Sequence, residues 1–152
     1  MNLDNSKSIR LKIMDYLARR EHSTIEIFQK LKHRVESLDL LKKEIEHLKQ
    51  EGLINHQRFA EQYIHSRSIK GYGPLRIKQE LKNKGIDSDV SGPLIDDIDW
   101  SVLAHEVFQK KTKGNFPEDT NELLKVKRFL NYRGFEFYDI DKVTSLKGKS
   151  KE

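Results

Sequence analysis

The sequence predicts an all-α protein, a tandem array of three three-helix repeats, elongated and free to curve. Three observations predict it. Apolar residues recur at spacings of three and four almost throughout, with no strict alternation over a strand's length. Glycines stand just past those periodic runs, where a helix end needs a left-handed residue. The whole pattern then returns with a step of about 50 residues, the mark of a repeat architecture.

Taken in order, Ile9, Ile13, Tyr16 and Leu17 form the stripe of a first helix, and Ile27, Phe28 and Leu31 that of a second. Ser23 with Glu26 makes a capping box in front of Ile27, each side chain answering the other's backbone N–H. Leu38, Leu41, Ile45 and Leu48 mark a third helix, stopped at Gly52, and Gly85 and Gly134 stop two later ones. Pro74 and Pro93 stand where a first helical turn tolerates a missing N–H, so each is expected to open a helix. These marks cut the chain into helices of roughly 10–15 residues.

The repeat shows in the apolar positions themselves. Ile27 and Leu31 return as Ile77 and Leu81, then as Val126 and Leu130, with steps of 50 and 49. Ile9, Phe59 and Phe108 follow the same two steps, and Lys84-Gly85-Ile86 matches Arg133-Gly134-Phe135. The repeats are therefore expected at 8–54, 56–98 and 100–146, followed by a basic, disordered tail at 147–152. A three-helix unit of this size has a small core, so neighbouring repeats are expected to bury each other's flanks. In the first copy, His33-Arg34-Val35-Glu36 occupies the place of the glycine turn. A different connection is expected there.

Composition narrows the function classes. The 152 residues include no cysteine, which excludes disulfides, thiolate metal sites and thiol nucleophiles. That fits a reducing cytosol, and a cytoplasmic protein is expected. Met1 to Arg10 carries Asp4 and no apolar core, and no 18-residue apolar run occurs, so neither secretion nor membrane spanning is expected. Lys and Arg number 29 against 24 Asp and Glu, a net charge of +5. From Arg58 to Lys84 alone there are seven basic residues (Arg58, Arg67, Lys70, Arg76, Lys78, Lys82, Lys84) against Glu61 and Glu80, which accounts for all of it. Such a focus is either a solvated helical surface or the footprint of an acidic partner, nucleic acid or protein.

Catalytic patterns are missing. The histidines, at 22, 33, 47, 56, 65 and 105, contain no pair at helical metal spacing. Asp87, Asp89, Asp96, Asp97 and Asp99 could in principle hold a hard cation, but Asp87 or Asp89 before Val90, and Asp99 before Trp100, sit where caps belong. Lys147-Gly148-Lys149-Ser150 ends like a P-loop, yet the first glycine of that motif falls on Val143. No enzyme, metal or cofactor is expected.

The informative segment runs from Arg67 to Leu81. Gly71 and Gly73 around Tyr72 make a tight corner, and Pro74 starts a helix on which Arg76 and Glu80 stand four apart. The plain reading is a helix–helix corner with an intrahelical ion pair. The functional reading is an exposed aromatic flanked by Arg67, Lys70 and Arg76, suited to phosphate or carboxylate groups. On turn chemistry alone the corner is the stronger of the two.

This segment, continued through Lys84-Gly85-Ile86, resembles the RecX family of bacterial regulators of the RecA recombinase. Glu51-Gly52-Leu53-Ile54 followed by Arg58-Phe59-Ala60 carries the resemblance further. It extends over about residues 8–146 through Leu17-Ala18-Arg19-Arg20-Glu21-His22-Ser23, Glu26-Ile27, Lys30-Leu31, Phe129-Leu130 and Arg133-Gly134-Phe135. Lys70 stands where the family tends to have arginine. The resemblance implies a monomeric array that binds the groove of the RecA nucleoprotein filament and inhibits strand exchange, ATP hydrolysis and coprotease activity, within recombinational repair and the SOS response. On this view Arg58, Arg67, Lys70, Tyr72, Arg76, Lys78 and Lys82 are candidate contacts to the filament or to single- or double-stranded DNA, while Gly52, Gly71, Gly73, Pro74, Gly85 and Gly134 are structural. Two rivals remain open. Ser23 to Ile54 resembles the helix–turn–helix of a winged-helix domain, which suits a DNA-binding module acting without RecA. A scaffold for another acidic protein is the other.

Overall fold

The computed structural model describes residues 3–145 of the 152. Among them are nine helices and no strand: α1 (Ser6–Arg19), α2 (Thr24–Leu31), α3 (Leu38–Gln50), α4 (His56–Ile69), α5 (Pro74–Asn83), α6 (Ser88–Asp96), α7 (Trp100–Thr112), α8 (Thr120–Arg133) and α9 (Phe137–Thr144). The all-α expectation holds, with α2, α6 and α9 shorter than the spacing suggested. The tail expected at 147–152 lies outside the described residues. No helix among those described is long and apolar enough to cross a membrane. The chain divides into two compact units, Met1–Gln62 with Leu81–Ser91 and Tyr63–Glu80 with Gly92–Glu152.

Helix starts follow the local chemistry. Asn5 and Ser23 close capping boxes on α1 and α2, and Ser37, Asn55, Asp99 and Asp119 accept the N–H groups that open α3, α4, α7 and α8. Each such cap is worth about 1 kcal/mol. Helix stops repeat one geometry. Gly52, Gly85 and Gly134 have φ of +78°, +79° and +98°. The N–H that follows each returns five residues, from Leu53 to Leu48 (2.9 Å), Ile86 to Leu81 (3.0 Å) and Phe135 to Leu130 (3.2 Å). This is the Schellman arrangement, in which an apolar pair closes over the helix end.

Pro93 departs from expectation, for it lies inside α6 instead of opening it. The helix starts earlier because Asp87 caps it, with its side chain accepting from the Asp89 N–H and its carbonyl from Val90 and Ser91. Proline at the sixth position leaves the Asp89 carbonyl without its helical donor. Gly92 before it has no Cβ to meet the proline ring, which removes part of the usual clash.

In the first unit α3 packs against both α1 and α2. Ile9, Ile13, Ile27, Leu31, Leu41, Ile45, Leu48 and Ile54 form its core with Leu3. Burying each such side chain stabilises by roughly 1.5–3 kcal/mol. The connection after α2 differs as expected. Instead of a glycine turn, Leu3 bridges Val35, donating to the Arg34 carbonyl (2.7 Å) and accepting from Glu36 (3.3 Å). Glu26 is one polar centre of this unit, accepting from Ser23, Arg20 and Lys84. Burial pushes its carboxyl up, but these donors outweigh burial and hold it down at about 2.

In the second unit α7, α8 and α9 pack mutually around Trp100, Ala104, Phe108, Val126, Leu130, Phe135, Ile140 and Val143. All nine repeated apolar positions are buried across the chain: Ile9, Phe59 and Phe108, Ile27, Ile77 and Val126, Leu31, Leu81 and Leu130. The N-terminus of α5 meets the C-terminus of α8 head to tail. Gly73 donates to the Arg133 carbonyl (2.7 Å) and Leu75 to the Gly134 carbonyl (2.9 Å), while Pro74 between them has no N–H to satisfy. A Cβ on Gly73 would run into the backbone of Gly134 and Phe135, and one on Gly134 into Arg76.

Two outcomes follow for stability. Gly52→Ala, at positive φ in open space, is expected to cost about 1–2 kcal/mol. Gly134→Ala adds a clash of about 1–3 kcal/mol to similar backbone strain, so urea unfolding should rank it clearly below Gly52→Ala; equal midpoints would refute the close approach. The Glu26 carboxyl is lowered on folding, so its contribution is complete above its ordinary value of 4.5 and is lost as pH falls toward about 2. Glu26→Gln should therefore flatten the stability curve between those values.

Candidate functional site

The segment from Arg67 to Leu81 folds as a corner that ends α4 and begins α5, and the part up to Glu80 lies in the second unit. Gly71, at φ +90°, repeats the stop used elsewhere: its N–H returns to the Ser68 carbonyl (3.0 Å), and that of Tyr72 to the Arg67 carbonyl (3.1 Å). Here the pair that closes the helix end is not apolar. It is Tyr72 and Arg67, with the guanidinium carbon 3.9 Å from the ring centroid.

Two further guanidiniums approach the same ring, Arg76 at 4.6 Å and Arg133 at 4.9 Å. Each cation–π contact is worth about 0.5–1 kcal/mol at an accessible site. One carboxylate anchors the group. Glu80 accepts a two-pronged bond from Arg67 (3.0 and 2.9 Å), a third from the Tyr63 hydroxyl (3.0 Å), and faces Arg76 at 3.5 Å. Burial raises the Glu80 carboxyl, but Arg67 and Tyr63 outweigh it and hold it below the usual range. Burial likewise lowers Arg67, yet Glu80 raises it further, so the pair stays ionised. Arg133 spans the corner, donating to the Lys70 (3.0 Å) and Gly71 (3.3 Å) carbonyls. Three guanidiniums thus surround one aromatic ring, and two of them, Arg67 and Arg76, share one carboxylate.

Of the residues singled out from sequence, Arg67, Tyr72 and Arg76 come together as expected, on the frame of Gly71, Gly73 and Pro74. Tyr72 is not an exposed aromatic, however. It is half-buried, with the guanidiniums of Arg67, Arg76 and Arg133 stacked against its ring, only the first two of them paired with Glu80. Arg67, with its side chain only 20% exposed, is committed to Glu80. Arg58 belongs to the first unit, where it pairs with Glu21 (2.8 Å) and donates to the Gly52 carbonyl (2.9 Å). Lys70 and Lys78 in the second unit and Lys82 in the first are exposed and form no ion pair among the described residues. Asp87 and Asp99 serve as caps, and no group of three acidic or histidine side chains among the described residues could hold a metal ion.

Sequence spacing missed Arg133, Tyr63 and the central part of Glu80. Arg133 stood out only as the residue before a helix-stopping glycine. Nothing local says that its side chain reaches a corner more than 60 residues away.

An all-helical repeat with such a corner defines a protein of the three-helix-domain class. Residues 55–91 match the family described as RecX, second three-helix domain. The regulatory protein RecX of Pseudomonas fluorescens is 37% identical over 148 residues, covering 96% of each chain. That of Pseudomonas putida is 39% identical over 145 residues, covering 94% of this chain and 93% of its own. The chain belongs to the RecX family of regulatory proteins. The crystal structure of RecX from Lactobacillus salivarius superposes with a TM-score of 0.77 at 24% identity, covering 91% of this chain and 93% of that one. A second RecX crystal structure gives 0.79 at 20% identity, covering 91% and 72%. Both share the fold.

Glu80→Gln would leave Arg67 without its carboxylate. Exposed pairs are worth about 0–1 kcal/mol and breaking buried ones costs about 3–5, so a loss of roughly 1–3 kcal/mol is expected for this half-buried pair. Unfolding in urea measures it; an unchanged midpoint would mean that Glu80 does not hold the corner.

Proposed function

We propose that this protein binds the RecA nucleoprotein filament stoichiometrically in its groove and lowers its recombinase, ATPase and coprotease activities. What carries the reading is family membership across nearly the whole chain, at 37% identity to a regulatory protein RecX. The exposed lysines 70, 78 and 82 support it, being cations that no carboxylate of the described fold takes up. The three repeats at 8–54, 56–98 and 100–146 are proposed as successive contact units. Several weak contacts along one polymer reinforce each other through effective concentration. Binding then opposes filament growth without a chemical step.

The test is RecA-dependent ATP hydrolysis on single-stranded DNA, titrated at substoichiometric and equimolar ratios beside a DNA-only binding control. Hydrolysis should fall at ratios too low to mask the DNA. No fall, together with tight DNA binding, would favour a DNA-binding module acting without RecA. Lys70→Glu with Lys78→Glu should weaken filament binding about tenfold, the equivalent of about 1.4 kcal/mol, with helical circular dichroism unchanged. These lysines are preferred to Arg67, whose reversal would also break the pair with Glu80.

A further inference from the structure

Beside the corner, within the second unit, lies a cleft of about 250 Å³ that the ring of guanidiniums leaves unfilled. Its floor is Val107 of α7 and Phe129 of α8, and Ile69, 66% exposed, forms an apolar lip. Its rim is cationic. Lys70, Lys110 and Lys111 are exposed and form no ion pair among the described residues, Arg133 donates only to backbone carbonyls, and Glu106 is the single acidic residue lining the space. Four cations and one carboxylate thus ring an apolar floor, a surface complementary to an acidic partner that also offers an apolar side chain.

We infer that this cleft is an anchor pocket for an acidic segment of the protein partner, taking one apolar side chain against Val107 and Ile69 while flanking carboxylates pair with Lys70, Lys110 and Lys111. Size and chemistry decide the class of occupant. Small-molecule sites generally occupy about 300–1,000 Å³, so this volume falls short of a free nucleotide-sized ligand. A base seeking to stack on Phe129 would compete with Lys111 and Arg133, already 4.6 and 4.7 Å from that ring. A phosphate chain needs the cations but has no use for the apolar floor and lip. Interface anchors are usually single side chains seated in a pocket and ringed by polar contacts. The inference rests on the filament reading above and adds to it where the partner is gripped.

The test uses the whole protein and RecA filaments assembled on single-stranded DNA with a slowly hydrolysed ATP analogue. The variants are Lys110→Glu with Lys111→Glu for the rim, Ile69→Ala for the lip, and exposed Lys43→Glu on α3 as the control. The rim variant should bind at least tenfold more weakly and the lip variant about threefold, the latter at low and high salt alike, with Lys43→Glu within twofold of wild type. Thermal unfolding checks that each is folded. Wild-type binding with unchanged affinity of the rim or lip variant overturns the pocket and leaves the filament reading standing. Equal loss of binding to bare DNA by the rim variant overturns it too, because phosphate would then be the occupant. Failure of the wild-type protein to bind filaments overturns both.

Discussion

At one crossing in the second unit two backbones lie too close for a side chain to stand on either. Gly73 and Gly134 meet there, and the last carbonyls of α8 accept the first N–H groups of α5. Both sets of groups would otherwise lack a helical partner. The negative end of one helix dipole also faces the positive end of the other, a favourable arrangement. Once this contact is made, Arg133 must lie across the corner and Tyr72 must sit among the guanidiniums. The geometry of the candidate site is thus downstream of two missing Cβ atoms.

The same helix stop serves different ends along the chain. After α5 and α8 it closes with the buried pairs Ile86 over Leu81 and Phe135 over Leu130. After α4 the pair is Tyr72 and Arg67, and packing gives way to charge. A carboxylate then acts as collector: Glu80 in the second unit holds Arg67, Tyr63 and Arg76, much as Glu26 in the first holds Arg20, Ser23 and Lys84. Among the described residues some cations are held by these carboxylates, as Arg67 is by Glu80 and Arg20 by Glu26, while Lys70, Lys78, Lys82, Lys110 and Lys111 are exposed and form no ion pair.

How much of this the sequence discloses depends on the range of the interaction. Ser23 with Glu26, Asp99 before Trp100 and the glycine stops are settled within five residues, and sequence reads them correctly. The burial of Ile77 and Val126 follows from a period. Pro93 is misread because its position depends on Asp87, six residues upstream, winning as the cap. Turn chemistry favours a packed corner over an exposed Tyr72, but what covers the ring is set at a distance, since Arg133 arrives from another helix and local chemistry says nothing of it. Burial of a charged corner is likewise invisible until the partner strand of chain is known.

The crossing of Gly73 and Gly134 has an evolutionary corollary. Contacts between side chains can drift in pairs, one shrinking as the other grows, and that drift leaves a correlated trace among homologous sequences. A contact made of backbone on backbone offers no such exchange, because a larger residue on one side meets peptide atoms that no substitution opposite can remove. One of the tightest approaches in the second unit is therefore expected to be silent to methods that infer proximity from covariation. It would show only as two positions that each refuse change independently.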